Sequence, residues 1–336
     1  MPRTAIALLT AVGLVLAAMI GCSREQERDA LPANNEEIIL AVTPWPASAA
    51  LYVALEKGYF REEGLSVTTQ SHVSGHLGLE AVLAGRADLA TSGETPIARS
   101  ALAGKPLMIV ATVAEIDRAI MVIARKDRGI SSADDLRGKK IGLVAGTTAD
   151  FFLHIYLTTS YINPRDVQIV NLATGRIVEA LLNGEVDAVS TWSPYTGILR
   201  DKLAGNACIV YNESLYTMTW NITATRDFVK NKPESIRKFL RALVRANGFV
   251  AEQPEQARAI CLQHIGPDSA LFAREWQDYH FAVQLDQSLI LTLEDQARWM
   301  LGKETGDTHG VPNFLDFIHS DGLKAVEPQA VTIAGQ

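Results

Sequence analysis

Four short stretches of the sequence place side chains that can hold a small molecule at the start of a predicted helix. Each follows a predicted strand, and they are Trp45-Pro46-Ala47-Ser48, Ser92-Gly93-Glu94-Thr95, Gly146-Thr147-Thr148 and Thr191-Trp192-Ser193-Pro194. Helix N-termini carry backbone N–H groups without partners and a partial positive charge. Hydroxyl and indole groups at the same place add hydrogen-bonding groups and an apolar surface. The stretches therefore favour an anionic or hydrogen-bond-accepting solute.

These stretches supply most of the candidate ligand-binding residues, and each candidate also has a structural explanation. Serine and threonine cap helices, tryptophan is often a core residue, and glycine often serves a turn. Glu94 is favoured at a helix start in any case; as a ligand it would pair with an amine and oppose a bare anion. Arg118 is a candidate partner for a carboxylate or sulfonate, although arginine is exposed by default. The candidates are Trp45, Pro46, Ser92, Gly93, Glu94, Gly146, Thr147, Thr148, Trp192, Ser193, Trp220, Asn221 and Arg118.

The elements that must position these residues alternate along the chain. Short apolar runs predict strands at 38–43, 65–70, 87–91, 107–113, 120–125, 140–144, 167–171, 186–190 and 207–211. Helical segments lie between most of them, and from Asp227 onward the pattern is mainly helical. This rhythm predicts an α/β fold with parallel sheets and helices on both faces. Such open sheets bind ligands beyond the carboxyl ends of their strands, where the four stretches lie.

An internal similarity indicates two such sheets. Residues 79–92 align with residues 178–191, so that Gly85 matches Gly184 and Asp88 matches Asp187. Each copy contains a helix, a glycine, an aspartate turn and a strand, in that order. We interpret the copies as two similar doubly wound lobes; the alternative is a chance repetition of a common α/β turn. The two aspartates precede their strands, opposite the expected cleft, which argues against a catalytic carboxylate pair.

The N-terminus predicts export. Arg3 is the only charge before an uncharged, largely apolar run at residues 4–21, which ends at Gly21-Cys22. This pattern predicts a signal peptide at residues 1–21. The Gly-Cys junction resembles the lipobox of bacterial lipoproteins, which implies that Cys22 is lipidated; cleavage without a lipid and an uncleaved anchor are the alternatives. Residues 22–37 are polar and charged, which predicts a flexible tether.

Composition limits the function further. Hydrophobic residues make up 48% of the chain and charged residues 21%, which predicts a globular protein with a substantial core. The net charge of −7 and the lack of a basic run argue against nucleic acid binding. Besides Cys22, only Cys208 and Cys261 are present; two buried free thiols are favoured, and a disulfide stays open. We predict no metal, no cofactor and no catalytic residues, since no hydrolase, zinc-protease or phosphate-loop motif is present.

Several segments together resemble the nitrate/sulfonate/taurine and thiamine-pyrimidine-precursor group of periplasmic solute-binding proteins. They are Val42-Thr43-Pro44-Trp45, residues 51–67, Asp135-Leu-Arg-Gly-Lys-Lys-Ile-Gly142, Asn183-Gly-Glu-Val-Asp-Ala188, Asp227-Phe-Val and Pro233-Glu-Ser-Ile-Arg-Lys-Phe-Leu240. The resemblance implies a two-lobed clamshell with two crossovers that serves as the receptor of an ABC importer. It also implies ligand contacts after Trp45, Ser92, Gly146 and Trp192.

The resemblance sets the remaining expectations. The first lobe is expected at residues 38–118 and 226–336, the second at 119–225, with hinges near Arg118 and at residues 220–225. The expected partners are a small solute, an inner-membrane ABC permease and, through the lipid, a membrane; the protein is expected to be a monomer on the periplasmic side of the cell envelope. Glu94 and three tryptophans favour an organic solute with an apolar or aromatic part, such as a taurine-like sulfonate, an aromatic acid or a pyrimidine, and an amine on it is one option.

Two other classes of function stay open. Some members of the group make the thiamine pyrimidine with a cysteine-rich iron site, and this chain has no cysteine cluster. A sensory lipoprotein would use the same clamshell to signal to a partner, and the sequence does not distinguish sensing from import.

Overall fold

The structure is a computed structural model, and it describes residues 35–211, 215–266, 269–305 and 310–334. The predicted signal peptide, the predicted lipidation site Cys22 and the predicted tether up to residue 34 lie outside these residues. Within the described part of the chain, no helix is long and apolar enough to cross a bilayer.

The described residues form eleven strands. In chain order they are β1 (Glu36–Val42), β2 (Leu65–Ser71), β3 (Leu89–Gly93), β4 (Leu107–Ile116), β5 (Ile120–Arg125), β6 (Lys140–Leu143), β7 (Gln168–Asn171), β8 (Ala188–Trp192), β9 (Ala207–Val210), β10 (Met218–Thr225) and β11 (Tyr279–Gln284). They build two sheets, with the strand orders β11-β4-β10-β3-β1-β2 and β7-β6-β8-β5-β9.

The helices cover both sheets. They are α1 (Ala49–Glu56), α2 (Tyr59–Glu62), α3 (Gly75–Leu83), α4 (Glu94–Leu102), α5 (Thr148–Thr159), α6 (Ile177–Leu182), α7 (Tyr195–Leu203), α8 (Arg226–Asn231), α9 (Pro233–Glu252), α10 (Pro254–Ile265), α11 (Ser269–Arg274), α12 (Gln287–Thr305) and α13 (Ser320–Val326). The first lobe is the six-stranded sheet with its helices, among them α1, α3, α4, α9 and α12; the second lobe is the five-stranded sheet with α5, α6 and α7.

The chain crosses between the lobes twice, as predicted. It leaves the first sheet after Ile116 and returns at Met218. Asp117 lies in the first crossover, and its side chain accepts a hydrogen bond from Thr217 Oγ1 (2.9 Å) in the second. The backbone carbonyl of Asp117 also accepts a hydrogen bond from the Tyr211 hydroxyl. The two crossovers are therefore joined side by side.

The aligned segments have the same structure in both lobes, which supports the two-lobe interpretation. Gly85 and Gly184 both adopt positive φ angles, of 70° and 73°. Asp88 Oδ2 accepts a hydrogen bond from Ile39 N in β1 (2.7 Å), and Asp187 Oδ2 accepts one from Lys140 N in β6 (2.9 Å). Each aspartate therefore fastens its own turn to a neighbouring parallel strand, a structural role at the end opposite the expected ligand site.

Most predicted elements are present, with two differences. Strand β10 was not among the predicted strands; it lies inside the first sheet, between β4 and β3, although the sequence prediction extended the second lobe to residue 225. Strand β11 was not predicted, because residues 279–284 are a short, half-exposed segment between helices. The alternation of buried and exposed residues in β11 is weak, and its pairing with β4 joins residues far apart in sequence.

The core follows from the apolar runs that predicted the strands. Strands β4 and β5 are buried along nearly all their length, as expected for strands covered on both faces. Helix α9 buries the stripe formed by Ile236, Phe239 and Leu243, and Phe239 stacks on Phe60 with ring centroids 4.9 Å apart. Cys208 and Cys261 are buried free thiols, as the sequence favoured.

Candidate functional site

The carboxyl ends of the strands bring three of the four predicted stretches into one continuous region. Trp220 in β10 pairs with Gly93 at the end of β3. Its indole Nε1 donates a hydrogen bond to Ser48 Oγ (3.1 Å), which joins the first and second stretches. Thr95 Oγ1 donates to Thr148 Oγ1 (2.9 Å), which joins the second stretch to the third across the lobes.

The first stretch forms an aromatic wall. Trp45 precedes a short 3₁₀ turn, Pro46–Ser48, in which Pro46 takes the first position and is buried. The Trp45 ring contacts Trp220 edge-on with centroids 5.0 Å apart, and contacts Tyr279 in the same way at 5.7 Å. Such edge-to-face contacts hold the rings in fixed orientations.

The second stretch is fully enclosed. Ser92 and Glu94 have no exposed surface, and a Cβ atom on Gly93 would lie 2.7 Å from Met218 Cε, so only glycine fits without a shift of Met218. Glu94 Oε2 accepts hydrogen bonds from Thr219 N (3.2 Å) and Thr219 Oγ1 (3.3 Å). These bonds fasten the start of α4 to β10.

Burial raises the pKa of Glu94 to about 8, and the hydrogen bonds from Thr219 offset this only in part. The side chain is therefore mainly protonated at neutral pH. A neutral, enclosed carboxyl group does not supply the negative charge that an amine ligand requires. The sequence-based hypothesis that Glu94 pairs with an amine therefore does not fit this geometry. The sequence did not reveal the burial of Glu94, because that burial depends on strands far away in sequence.

The third stretch is a tight loop before α5. Gly146 has a φ of 73° and donates its N–H to Asp150 Oδ2 (2.8 Å). Thr147 Oγ1 donates to the carbonyl of Val144 (2.7 Å), and Thr148 is buried against Thr95. Thr147 is the residue that precedes the helix, but its hydroxyl closes the loop instead of capping α5.

The fourth stretch contacts the first lobe at a different place. Trp192 is partly exposed and meets Tyr195 edge-on at 5.9 Å. Ser193 is buried. Its Oγ lies 3.0 Å from Thr196 Oγ1 and donates a hydrogen bond to Glu275 of the first lobe. Burial raises the pKa of Glu275, and Arg200 and the bond from Ser193 oppose that rise.

Two candidates remain: Asn221, which pairs with Ser92 in the first sheet, and Arg118 in the first crossover. Asn221 is fully buried inside the first sheet, where its Oδ1 accepts from Thr112 Oγ1 (2.7 Å) and its Nδ2 donates to Thr219 Oγ1 (2.9 Å). Its amide is thus occupied by the protein. Arg118 is exposed in the first crossover, with its guanidinium 5.3 Å from the centre of the Tyr211 ring.

Sequence reasoning missed a further helix start at this site. Helix α3 begins at Gly75, outside the four candidate stretches, and Ser74 caps it by accepting from Leu77 N (3.4 Å). A Cβ atom on Gly75 would lie 2.9 Å from both Ser92 Cα and the Trp220 ring. The Ser-x-x-Leu cap and the glycine were the available signals; only the fold shows that they meet Ser92 and Trp220.

The strand ends also carry polar atoms that the described residues leave without partners. The atoms Thr43 Oγ1, His72 Nε2 and Thr191 Oγ1 are buried. Thr43 follows β1, His72 follows β2, and Thr191 is the last but one residue of β8. Buried polar groups normally have a hydrogen-bond partner. Together with the N-termini of α3, α4 and α5, they suit a small polar molecule. Among the residues that the structure describes, no group of three or more His, Cys, Asp or Glu side chains can hold a metal ion.

Two α/β lobes joined by two crossovers, with candidate residues at the facing strand ends, define a protein with the periplasmic binding protein fold. The sequence model of the NMT1/THI5-like family matches residues 45–257. The chain belongs to this family.

Individual relatives agree with this assignment. A binding protein of Brucella abortus (strain 2308) is 27% identical over 221 residues, which cover 65% of this chain and 68% of the relative. The taurine-binding periplasmic protein of Escherichia coli (strain K12) is 24% identical over 212 residues, 62% of this chain and 65% of the relative. The alkanesulfonate-binding protein SsuA from Xanthomonas axonopodis pv. citri, solved with bound MOPS, superposes with a TM-score of 0.70 at 20% identity, covering 86% of this chain and 100% of that one.

The same fold also serves an enzyme. The desulfurization enzyme DSZB superposes with a TM-score of 0.65 at 17% identity and covers 88% of this chain and 99% of that one. This likeness concerns the fold alone, so the function has to be argued from the site.

Proposed function

We propose that the chain is the extracytoplasmic solute receptor of an ABC importer and binds a small organic anion between its lobes. The observation that carries the proposal is the hydrogen bond between Thr95 and Thr148, which sets the starts of α4 and α5 face to face across the lobes. Two helix N-termini aimed at one place attract an anion. The similarity to a taurine-binding and an alkanesulfonate-binding protein supports the same class of ligand.

The aromatic side chains favour a solute with an organic part. Trp45 and Trp220 form the first-lobe wall, and the partly exposed Trp192 stands at the strand ends of the second lobe. Indole rings contribute large apolar surfaces with fixed geometry. Sulfonates, taurine-like solutes, aromatic acids and pyrimidines all combine an apolar part with hydrogen-bond acceptors. Nitrate lacks the apolar part, so it fits less well.

The fold gives this site a mechanism. A solute that contacts both lobes favours the arrangement in which the lobes are close, by the free energy of the extra contacts. The two joined crossovers allow the lobes to rotate about one line. The closed protein would then present surfaces of both lobes to a membrane permease, with the lipid on Cys22 holding it at the membrane as a monomer.

The test is a thermal-shift screen of the protein, starting at Ser23, against sulfonates, nitrate, amino acids, aromatic acids and pyrimidines. A ligand that binds only the folded protein raises the melting temperature, because it adds RT ln(1 + [L]/Kd) to the free energy of unfolding. We expect an organic sulfonate or carboxylate to give the largest shift. A complete panel without any shift would count against the proposal.

Replacement of a site tryptophan identifies the cleft as the place of binding. We expect Trp192→Ala to raise the Kd about 30-fold, because loss of a central aromatic contact costs about 2 kcal/mol. The matched control is Trp276→Ala, since Trp276 is also partly exposed but packs on Phe281 at 4.8 Å in a groove lined by Val250 and Pro254. Equal loss of affinity in both variants would place the ligand elsewhere.

A further inference from the structure

One carboxylate connects the loop of the third stretch to the opposite lobe. Asp150 lies in the first turn of α5, and its side chain is 8% exposed. Its Oδ2 atom accepts the N–H of Gly146 (2.8 Å) and also lies 2.7 Å from the ammonium of Lys303 on α12. Helix α12 packs on α4 of the first lobe, whereas Asp150 belongs to the second. The same oxygen thus holds the loop and reaches across the lobes.

Neighbouring contacts fix both partners. Arg99 on α4 donates to the carbonyl of Gly146 (3.4 Å), and a Cβ atom on Gly146 would lie 2.5 Å from the Arg99 guanidinium. Trp299, one turn before Lys303, meets Phe151 of α5 edge-on at 5.4 Å. The Lys303 ammonium lies 5.1 Å from the centre of the Trp299 ring. The cation is therefore held over an aromatic face next to its carboxylate.

We infer that Asp150 is a positioning residue of the loop at residues 145–148 and that Lys303 holds it in place from the other lobe. The inference rests on the proposed function, since it concerns the loop assigned to the ligand. Neither side chain has to touch the solute. The pair keeps the backbone of the loop oriented and favours the lobe arrangement in which that loop faces α4.

Partial exposure limits the strength of the pair. The Lys303 side chain is 50% exposed, so solvent and salt weaken its attraction to Asp150. The carboxylate is much less exposed, and loss of its cation leaves it poorly compensated. The affinity for the solute should therefore depend on ionic strength even when the solute itself carries no net charge.

The first experiment needs no ligand. Hydrogen exchange of the backbone amides at residues 144–152 is measured by mass spectrometry in the ligand-free protein. We expect Lys303→Met to speed exchange there several-fold, because the loop loses its support. The matched control is Arg298→Met on the same helix, since Arg298 pairs with Glu294 (2.7 Å) and Asp295 (2.8 Å) of α12 itself. Unchanged exchange in the Lys303 variant would overturn the inference.

The second experiment measures affinity with a sulfonate or other hit from the screen. We expect Lys303→Met to raise the Kd about five-fold at low salt, in line with a partly buried ion pair, and to reduce its salt dependence. Asp150→Asn keeps an oxygen for Gly146 N, so it should match Lys303→Met, and the double variant should be no worse than either. Additive effects, or a tighter Kd, would contradict the coupling. Absence of any ligand for the unmodified protein would count against the proposed function, and the exchange result would still decide the positioning role.

Discussion

The two aligned segments have the same structure at one end and differ at the other. At the amino ends of β3 and β8, Asp88 and Asp187 accept equivalent backbone hydrogen bonds from β1 and β6. At the carboxyl ends, the first lobe encloses Glu94 completely, whereas the second lobe leaves Trp192 partly exposed. The shared end builds the lobe. At the differing end, the first lobe supplies the buried wall of Trp45 and Trp220, and the second lobe supplies the accessible side chain of Trp192.

The strongest test of this difference between the lobes is to replace one tryptophan in each lobe by alanine. Trp220 is 4% exposed and packs on Trp45, so Trp220→Ala should lower the free energy of unfolding by about 3–5 kcal/mol. Trp192→Ala should cost roughly 1 kcal/mol, because it removes little buried area. Urea denaturation of both variants measures the difference. Equal losses would mean that the second-lobe tryptophan is also part of the core.

The shared ends predict a matched pair of smaller effects. Asp88→Ala and Asp187→Ala each leave a strand N–H without its acceptor and should each lower the free energy of unfolding by about 1–2 kcal/mol. Asp88→Asn and Asp187→Asn keep an acceptor oxygen and should restore most of the loss. Denaturation curves of the four variants provide the measurement. A large effect in one lobe only would show that the two turns are not equivalent.

The enclosed carboxyl group predicts a dependence of the stability on pH. The pKa of Glu94 is raised from 4.5 to about 8 in the folded protein, which therefore retains a proton that the unfolded chain releases. The contribution of Glu94 is most stabilising below about pH 4.5 and is lost as the pH rises to about 8, by at most roughly 1.4 kcal/mol per pH unit. Above that pH it changes no further.

Glu94→Gln tests this contribution. Glutamine resembles the protonated carboxyl group and keeps an oxygen for Thr219, so the melting temperature should fall less between pH 5 and about 8 than in the unmodified protein. Glu94→Ala is the control, since it loses the bonds to Thr219 and should be less stable at every pH. The same steep pH profile in the glutamine variant would refute the assignment.

The sequence predicted what depends on neighbours along the chain. The strand at residues 120–125 has the predicted limits, because its apolar pattern and flanking turns are local. The meeting of Thr95 with Thr148 followed from a general rule about strand ends in open sheets.

Such local reasoning could not predict contacts between residues that lie far apart in sequence. Glu94 is enclosed because β10, 125 residues further on, delivers Thr219 to it, and no local pattern carries that information. Asn221 was a candidate ligand residue, but its amide is hydrogen-bonded to Thr112 and Thr219 inside the sheet. The same limitation hid Glu275, which reaches Ser193 from the C-terminal part of the first lobe.

The place of β10 has a consequence for the order of folding. All strands of the second sheet lie between residues 120 and 210 and are continuous in sequence. The first sheet has β10 between β4 and β3, so its two halves have no shared strand until residue 225 has been made. All strands of the second lobe are therefore synthesised before the first sheet is complete. The chain completes the first sheet only after the second crossover, which lies beside Asp117, when β10 inserts between β4 and β3.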